Sequence, residues 1–271
     1  MRLSFSLLVL CLPCLSQTLP DTHEKLIPTL WVQTSVEWTA STVQAYRAAR
    51  LSLDRALKDK KSTAATEQTQ PFAKLPPAIV LDIDETVLDN SPAQARQVAT
   101  KTGFVVADWD QWVSEAVAHE IPGAAEFCRF AASKKVTVFY ISNRDAKSEE
   151  ATRRNLKQAG FPLHDSIDTV LLRGEKPEWT SEKTTRRKFV AAKYRVLLLV
   201  GDDLGDFLPD VRTSVEKRRE ISAPHAARWG RDWIMIPNPG YGSWESSLQE
   251  PERPAAALEQ LWKKESWLRS K

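Results

Sequence analysis

The chain has 271 residues, of which 42% are hydrophobic and 27% are charged. It carries 38 lysines and arginines against 35 aspartates and glutamates, so its formal net charge is +3. So small an excess, without a long basic run, excludes an electrostatic footprint for a nucleic-acid polymer. Only nine glycines and no short-period repeat are present, which excludes collagen-like and solenoid folds. The length suits one large domain, or one domain with an added subdomain.

The N-terminus has the pattern of a secretory signal. Arg2 gives a positive start, and Leu7–Leu12 forms a short apolar core. A membrane span needs about 20 apolar residues, so this stretch is too short to be one. We therefore predict a signal peptide over residues 1–17, with cleavage near Ser16 or Gln17 and export to the periplasm.

Two of the three cysteines belong to this signal. Cys11 and Cys14 lie inside it, which leaves Cys128 as the one thiol of the mature chain. A single thiol cannot form an internal disulfide, and we predict that Cys128 is a small buried hydrophobe. Acylation of Cys11 or Cys14 would instead give an outer-membrane lipoprotein. The preceding residues, Leu10 and Pro13, are not the small residues usual at such a site.

A long helix is predicted next, over residues 28–57. Apolar residues recur there at alternating three- and four-residue steps. They are Val32, Val36, Thr39, Val43, Tyr46, Leu53 and Leu57, with Arg50 breaking the row between Tyr46 and Leu53. We expect the helix to pack on the main domain or on a subunit partner, so a homodimer is left open. Residues 58–77 are polar and end at two prolines, which is typical of a linker.

The remainder, residues 78–245, alternates short apolar runs with helical patterns. The runs are Ala78–Leu81, Val136–Ile141, Thr169–Leu172, Val196–Val200 and Trp233–Ile236. Runs that are apolar on both faces favour a parallel sheet covered by helices on both sides. We predict a doubly wound α/β fold with a small, mostly helical subdomain, formed by the N-terminal helix and an insertion at about 87–122. Residues 246–271 are predicted to form a C-terminal helical tail.

Acidic side chains follow several of these strands. Asp82 and Asp84 follow the first strand, Ser142 ends the second, and Asp202 and Asp206 follow the fourth. In doubly wound sheets, sites form at the carboxyl ends of the strands. Burying several carboxylates together without a cation would be very costly. The pattern therefore predicts a divalent cation with oxygen ligands, for which Mg²⁺ is the best candidate.

Four segments make the sequence recognisable as a member of a family. They are Leu-Asp-Ile-Asp-Glu-Thr-Val-Leu-Asp-Asn-Ser at 81–91, Tyr-Ile-Ser-Asn-Arg at 140–144, Gly-Asp-Asp-Leu-Gly-Asp-Phe at 201–207 and Pro-Asn-Pro-Gly-Tyr-Gly-Ser-Trp-Glu at 237–245. The chain resembles the haloacid dehalogenase (HAD) superfamily and, more narrowly, the class C nonspecific acid phosphatases. This is the bacterial lipoprotein e, or DDDD phosphohydrolase, family. The resemblance spans nearly the whole mature chain, although the lipid-attachment box is poorly matched and the linker is long.

The resemblance implies a role for each polar residue at the strand ends. Asp82 would be the nucleophile, and Asp84 would act first as general acid and then as general base. Mg²⁺ would be held by the side chains of Asp82 and Asp202 and by the backbone carbonyl of Asp84. Asp206 would lie just behind, orienting a water molecule or the active-site lysine. Ser142 and the adjoining backbone N–H groups would hold phosphoryl oxygens.

The family also places a lysine ahead of the fourth strand, where this sequence offers Lys183 and Lys188. We favour Lys183 because it opens the predicted helix, whereas Lys188 lies inside it. A lysine here would act as a point charge toward the phosphoryl oxygens. Arg186, Arg187 and Lys188 are expected on a solvated face.

Substrate contacts are expected from three further residues. Trp109 in the insertion and Tyr241 after the last strand match positions thought, in the family, to stack on the base or ring of the substrate. Asn143, beside Ser142, is expected to bind substrate too. Trp112 and Trp244 are predicted to be core residues.

The expected activity is hydrolysis of phosphomonoesters, nucleoside monophosphates among them, by an exported Mg²⁺-dependent acid phosphatase. A phosphotransferase would use the same residues with an alcohol in place of water. A surface protein that binds nucleotide or haem without turnover is a further alternative. The nucleophile–acid pair argues against it, since a pure binder has no need of one.

Overall fold

The computed structural model describes residues 23–248 and Lys264. The predicted signal peptide at 1–17, with Cys11 and Cys14, lies outside the described residues, as does nearly all of the predicted tail at 246–271. None of the helices described combines the length and the apolar character that crossing a bilayer requires.

A five-stranded parallel sheet forms the centre of the fold. Including two short strands outside this sheet, the strands of the described residues are, in chain order, β1 (Pro77–Leu81), β2 (Leu88–Asp89), β3 (His119–Glu120), β4 (Thr137–Asp145), β5 (Val170–Arg173), β6 (Arg195–Gly201) and β7 (Trp233–Met235). The sheet has the order β5-β4-β1-β6-β7, while β2 and β3 form a separate antiparallel pair. All five apolar runs predicted as strands are therefore strands of one sheet, and the α/β prediction is confirmed.

Helices cover both faces of this sheet. In chain order, the helices of the described residues, on the sheet and in the insertion, are α1 (Leu26–Thr34), α2 (Val36–Lys58), α3 (Ser91–Thr100), α4 (Val106–Glu115), α5 (Ala124–Ser133), α6 (Glu149–Gln158), α7 (Thr184–Ala191), α8 (Val215–Ser222) and α9 (Ser243–Ser246). Side chains alternate along a strand, so Leu81 of β1 packs into the core beneath α2 and α5, and Val80 packs into the core beneath α7. Cys128 of α5 is fully buried, as predicted, and burial raises the pKa of its thiol to about 12.

The prediction of a single helix over residues 28–57 is wrong, because the helix is interrupted at Ser35. The backbone of Ser35 is extended, and its side chain accepts a hydrogen bond from the backbone N–H of Trp38 at 3.1 Å. Serine in this position caps a new helix, so α1 ends and α2 begins there. Val36, placed on the predicted apolar stripe, is 78% exposed, whereas Tyr46 further along α2 is buried.

The break gives the two helices different partners. Helix α2 packs on α5, β6 and β7, whereas α1 packs on α3 in the insertion. The insertion itself is closed at its base by the β2–β3 pair, in which Leu88 lies opposite Glu120. The small helical subdomain is thus built from α1, α3 and α4, while α2 belongs to the layer that covers the sheet.

Residues 58–77, the predicted linker, join α2 to β1 and pack against the sheet on the way. Ala64 is fully buried in the core beneath α7. The side-chain amide of Gln68 donates to the carbonyls of Ala191 at 2.7 Å and Tyr194 at 2.6 Å, and its oxygen accepts from the N–H of Val196 at 3.2 Å. A polar side chain here replaces the backbone partners that a strand or helix would have supplied.

Replacing Gln68 by Ala should therefore destabilise the fold. The change leaves buried carbonyls without donors, and each such loss costs about 1–3 kcal/mol. We expect the free energy of unfolding in urea to fall by at least that amount, while the exposed Gln70→Ala change leaves it nearly unaltered. Equal unfolding midpoints for the two variants would show that residues 58–77 contribute little to the fold.

Candidate active site

A cleft of about 860 Å³ lies at the carboxyl ends of the three central strands. Strand β1 has β4 on one side and β6 on the other, and the chain crosses from one side to the other between β5 and β6. This reversal is the switch point at which doubly wound sheets open a crevice. It explains why Asp82 after β1 and Asp202 after β6 line the same cleft.

A tight turn follows β1 and presents its acidic residues. Glu85 has a left-handed backbone, with φ of 58°, which is unusual for a residue other than glycine. The turn lets the N–H groups of Val87 and Leu88 both donate to the carbonyl of Ile83 at 2.9 Å. Thr86, within the turn, donates its hydroxyl to Oδ1 of Asp202 at 3.0 Å, which ties the ends of β1 and β6 together.

Asp82, Asp202 and Asp206 form the acidic cluster of the site. One carboxylate oxygen from each lies within 4.8 Å of those of the other two. Lys183 lies among them: its amine donates to Oδ1 of Asp82 and, at 2.6 Å, to Oδ1 of Asp206. Burial raises the pKa of Asp82 and of Asp202, and the neighbouring carboxylates add to the effect. Burial alone would lower the pKa of Lys183, but the charges of Asp206 and Asp82 raise it.

The cluster fits a divalent cation. When ionised, its three carboxylates outweigh the single charge of Lys183 by two, so a doubly charged ion would balance them. Its donor atoms are hard oxygens, which such ions prefer. Two of the predicted ligand side chains, Asp82 and Asp202, belong to it. Asp206, predicted to lie behind the metal, contributes an oxygen to the same cluster and also holds Lys183.

Asp206 can approach only because residue 201 is glycine. A Cβ atom at Gly201 would lie 2.2 Å from Oδ2 of Asp206, far inside any allowed contact. The same Oδ2 accepts from the N–H of Asp203 at 3.0 Å, which holds the short 3₁₀ turn Leu204–Asp206 against the end of β6. The glycine before the aspartates is thus a requirement of close approach.

Asp84 faces a different set of partners. Its Oδ1 accepts from Asn90 Nδ2 at 2.9 Å and from Arg144 Nη2 at 2.8 Å, and its Oδ2 accepts from the hydroxyl of Ser142 at 3.1 Å. Ser142, predicted to hold phosphoryl oxygens, is fully buried behind Asp84. The carboxylates of Asp82 and Asp84 are thus two residues apart in sequence but have separate environments.

The prediction that Arg186, Arg187 and Lys188 lie on a solvated face is wrong for the two arginines. Lys183 is at the site, and Lys188 is exposed. Arg186 is fully buried and donates to the carbonyl of Ser142, while Arg187 is 1% exposed and pairs with Glu67 at 2.7 Å. Their partners come from distant segments, so no local pattern distinguishes these arginines from Lys188.

Three aromatic rings line the cleft. Trp109 and Tyr241 both line it, as does Phe104, which sequence reasoning missed. The rings of Phe104 and Trp109 are 6.2 Å apart, and the hydroxyl of Tyr241 donates to the buried Glu85. Burial raises the pKa of Glu85 well above its usual value, and the charge of Asp84 adds to this.

The remaining predicted residues divide between core and surface. Trp112 is buried, as predicted, and its indole N–H donates to Asn90 at 2.8 Å. Trp244 is 40% exposed, so the prediction of a core residue is wrong there; the short helix α9 turns it outward. Asn143 lines the cleft, but its side-chain amide is held by the carbonyl of Ser181 at 2.9 Å and by Arg186 at 2.6 Å.

Arg144 is the principal polar residue that sequence reasoning left without a role. It is buried, and its guanidinium forms an ion pair with Asp84 at 2.8 Å. A usable signal was present, because an arginine at the end of an apolar strand needs a carboxylate near it. The sequence alone does not say which of the several aspartates that carboxylate is.

With this geometry, the fold and site define a member of the HAD superfamily. The model of "HAD superfamily, subfamily IIIB (Acid phosphatase)" matches residues 5–244, and the chain belongs to this family. The class C acid phosphatase from Bacillus anthracis has a similar structure, with a TM-score of 0.80 and 35% identity over 92% of this chain and 98% of that one. The same enzyme with tungstate bound matches with a TM-score of 0.80 and 34% identity, over 93% and 99% of the two chains.

Two plant proteins are more distant relatives. The stem 31 kDa glycoprotein of Glycine max is 27% identical over 137 residues, which is 49% of this chain and 53% of that protein. Acid phosphatase 1 of Solanum lycopersicum is 26% identical over 133 residues, 48% of this chain and 51% of that protein. The matches to these curated relatives thus span only about half of their length.

The acidic cluster predicts a measurable response to divalent cations. Because an ion that binds only the folded state stabilises it, millimolar Mg²⁺ or Mn²⁺ should raise the Tm of the wild type. Asp202→Asn removes a buried charge, so it should stabilise the metal-free protein and lose most of the metal-induced rise. The exposed Asp165→Asn should keep the full rise. A wild-type Tm that does not change with either ion would show that the cluster holds no metal.

Proposed function

We propose that this protein hydrolyses phosphomonoesters through an aspartyl-phosphate on Asp82. The observation that carries the proposal is the pair of carboxylates, Asp82 and Asp84, that line one cleft with different partners. Asp82 is held by a lysine within the acidic cluster, and Asp84 by an arginine outside it. Two carboxylates in different environments suit two different roles, a nucleophile and an acid–base.

In the first step, a carboxylate oxygen of Asp82 attacks phosphorus, and the bond from phosphorus to the ester oxygen breaks. Asp84 gives its proton to that oxygen, which leaves as a neutral alcohol. Lys183 keeps the nucleophile oriented through its contact with Asp82, and its positive charge reduces the repulsion between the carboxylate and an anionic ester. The first step ends with phosphate on Asp82 and an ionised Asp84.

In the second step, water attacks the phosphorus of the aspartyl-phosphate. Asp84 takes the proton from this water, inorganic phosphate leaves, and the carboxylate of Asp82 is restored. The cycle thus consumes one ester and one water and returns both aspartates to their starting states. An alcohol in place of water would give phosphotransfer with the same residues.

The metal we propose is Mg²⁺, held by the side chains of Asp82 and Asp202 and the backbone carbonyl of Asp84. Asp206 has a carboxylate oxygen in the same cluster, so it adds to the negative field that would attract the ion. When bound, Mg²⁺ supplies positive charge that offsets the repulsion between nucleophile and phosphoryl oxygens. The count of two excess negative charges supports a divalent rather than a monovalent ion.

The substrates we propose include nucleoside monophosphates. Trp109, Phe104 and Tyr241 are aromatic residues that line the cleft, and their rings suit a planar leaving group. Aromatic stacking tolerates any base, because every base has a π-face. We also propose that the chain is exported, which rests on the signal-like residues 1–17. Homodimer formation and acylation of Cys11 or Cys14 are left open.

The two motif aspartates give the sharpest test of the mechanism. Asp82→Asn and Asp84→Asn should each keep the fold and lower the rate of phosphate release from p-nitrophenyl phosphate. For Asp84→Asn we expect a loss of about 10²–10⁴-fold in turnover, because the attack of water on the aspartyl-phosphate still needs a general base even where the leaving group needs no acid, and for Asp82→Asn at least that. The exposed Asp165→Asn is the matched control. If Asp82→Asn turned over near the wild-type rate, the covalent route would be excluded.

The aromatic residues of the cleft predict selectivity among esters. Stacking is worth about 1–3 kcal/mol per base, so Trp109→Ala or Tyr241→Ala should raise KM for nucleoside monophosphates by about one to two orders of magnitude. A small aliphatic phosphate has nothing to stack and should lose little. Tyr241→Phe keeps the ring and removes the hydroxyl that contacts Glu85, so it should behave like the wild type on nucleotides. Equal losses on both kinds of ester would mean that the rings only support the fold.

A further inference from the structure

Arg144 lines the cleft with an almost fully buried side chain, and its guanidinium is paired with Asp84. Its side chain is 1% exposed, whereas that of Asp84, which lines the cleft, is 15% exposed. Two guanidinium nitrogens, Nε and Nη2, donate to Oδ1 of Asp84 at 3.0 and 2.8 Å. The third, Nη1, donates to the hydroxyl of Thr152 on α6 at 3.2 Å. A planar guanidinium held at both ends fixes the orientation of the carboxylate it contacts.

The two oxygens of Asp84 are not equivalent in this arrangement. Oδ1 accepts three hydrogen bonds, one from Asn90 Nδ2 at 2.9 Å and two from Arg144. A carboxylate oxygen offers about two lone-pair sites, so Oδ1 has none left for a proton. Oδ2 accepts from the hydroxyl of Ser142 at 3.1 Å and only a longer bond, 3.3 Å, from Arg144 Nε. A serine hydroxyl can accept as well as donate, so Ser142 can stay hydrogen-bonded to Oδ2 when that oxygen carries a proton.

We propose that Arg144 is a positioning residue, which makes Oδ2 of Asp84 the oxygen that exchanges a proton with the leaving group. This inference rests on the proposed function of the cleft. Once Oδ2 has passed its proton to the ester oxygen, Asp84 is an anion, and it is already paired with the buried guanidinium. The negative charge that forms on Asp84 is therefore paired with the Arg144 guanidinium as soon as it forms.

The proposal predicts a loss that depends on the leaving group. A p-nitrophenolate ion leaves with little need of a proton, whereas an alkoxide must be protonated as it leaves. The ratio kcat/KM covers only the steps up to departure of this group, so the later attack of water does not enter it. A misplacement near 1 Å can cost about 10²-fold. For Arg144→Lys we therefore expect kcat/KM to fall by about 10–100-fold on a small alkyl phosphate and by less than about threefold on p-nitrophenyl phosphate.

Arg195→Lys is the matched control. Arg195 is 4% exposed and lies at the amino end of β6, away from the cleft. It donates to the backbone carbonyls of Asp59 at 2.6 Å and Ala56 at 3.2 Å, so its role is purely structural. Any loss caused by this variant should be the same for the alkyl and the p-nitrophenyl ester.

Thr152→Val provides a second, nearly isosteric variant. It removes only the hydroxyl that holds Nη1 of Arg144, so it should shift the two esters in the same unequal way, by a smaller factor. If Arg144→Lys fails to fold, Thr152→Val still tests the positioning role of Arg144. Proportional losses on both esters in the folded variants would overturn the positioning role. A wild type that releases phosphate from neither ester would instead overturn the proposed function.

Discussion

The buried contact of Lys183 with Asp82 and Asp206 is the interaction on which the rest of the site depends. Carboxylates gathered in an interior repel one another and lose hydration, so they can coexist only if cations are placed among them. One lysine meets part of this demand, and a divalent ion would meet the remainder. The site's chemistry thus follows from an electrostatic requirement that the fold itself creates.

The backbone is shaped to meet this requirement. The strand order brings the ends of β1, β4 and β6 together, and the left-handed turn at Glu85 follows Asp82 and Asp84 directly. Gly201 leaves the space that Asp206 occupies. Asp84 pairs with Arg144 instead of Lys183, so that two neighbouring aspartates have different counter-charges. Under the proposed mechanism, one loop can hold both the nucleophile and the acid–base because their counter-charges come from different segments, Lys183 before α7 and Arg144 in β4.

Much of this architecture could be predicted from local sequence patterns. The apolar runs gave the parallel strands, and their acidic ends gave the location of the cleft, because both depend on residues close together in the chain. The helix break at Ser35 could not be found from the apolar stripe, since a single capping hydrogen bond outweighs the periodicity. The burial of Arg186 and Arg187 was missed for another reason. Their partners, the carbonyl of Ser142 and the carboxylate of Glu67, lie far away in sequence.

The sequence by itself determined the family, the sheet and the set of acidic residues, because motif spacing and alternation of apolar residues are properties of short segments. Only the tertiary structure decided which charges pair. In the folded protein, Lys183 and not Lys188 contacts the acidic cluster, and Arg144 forms an ion pair with Asp84. Residues 58–77 pack against the sheet. The physical reason is that an ion pair or a buried hydrogen bond depends on distance in space, and segments far apart in the chain become neighbours only when the sheet and its helices close.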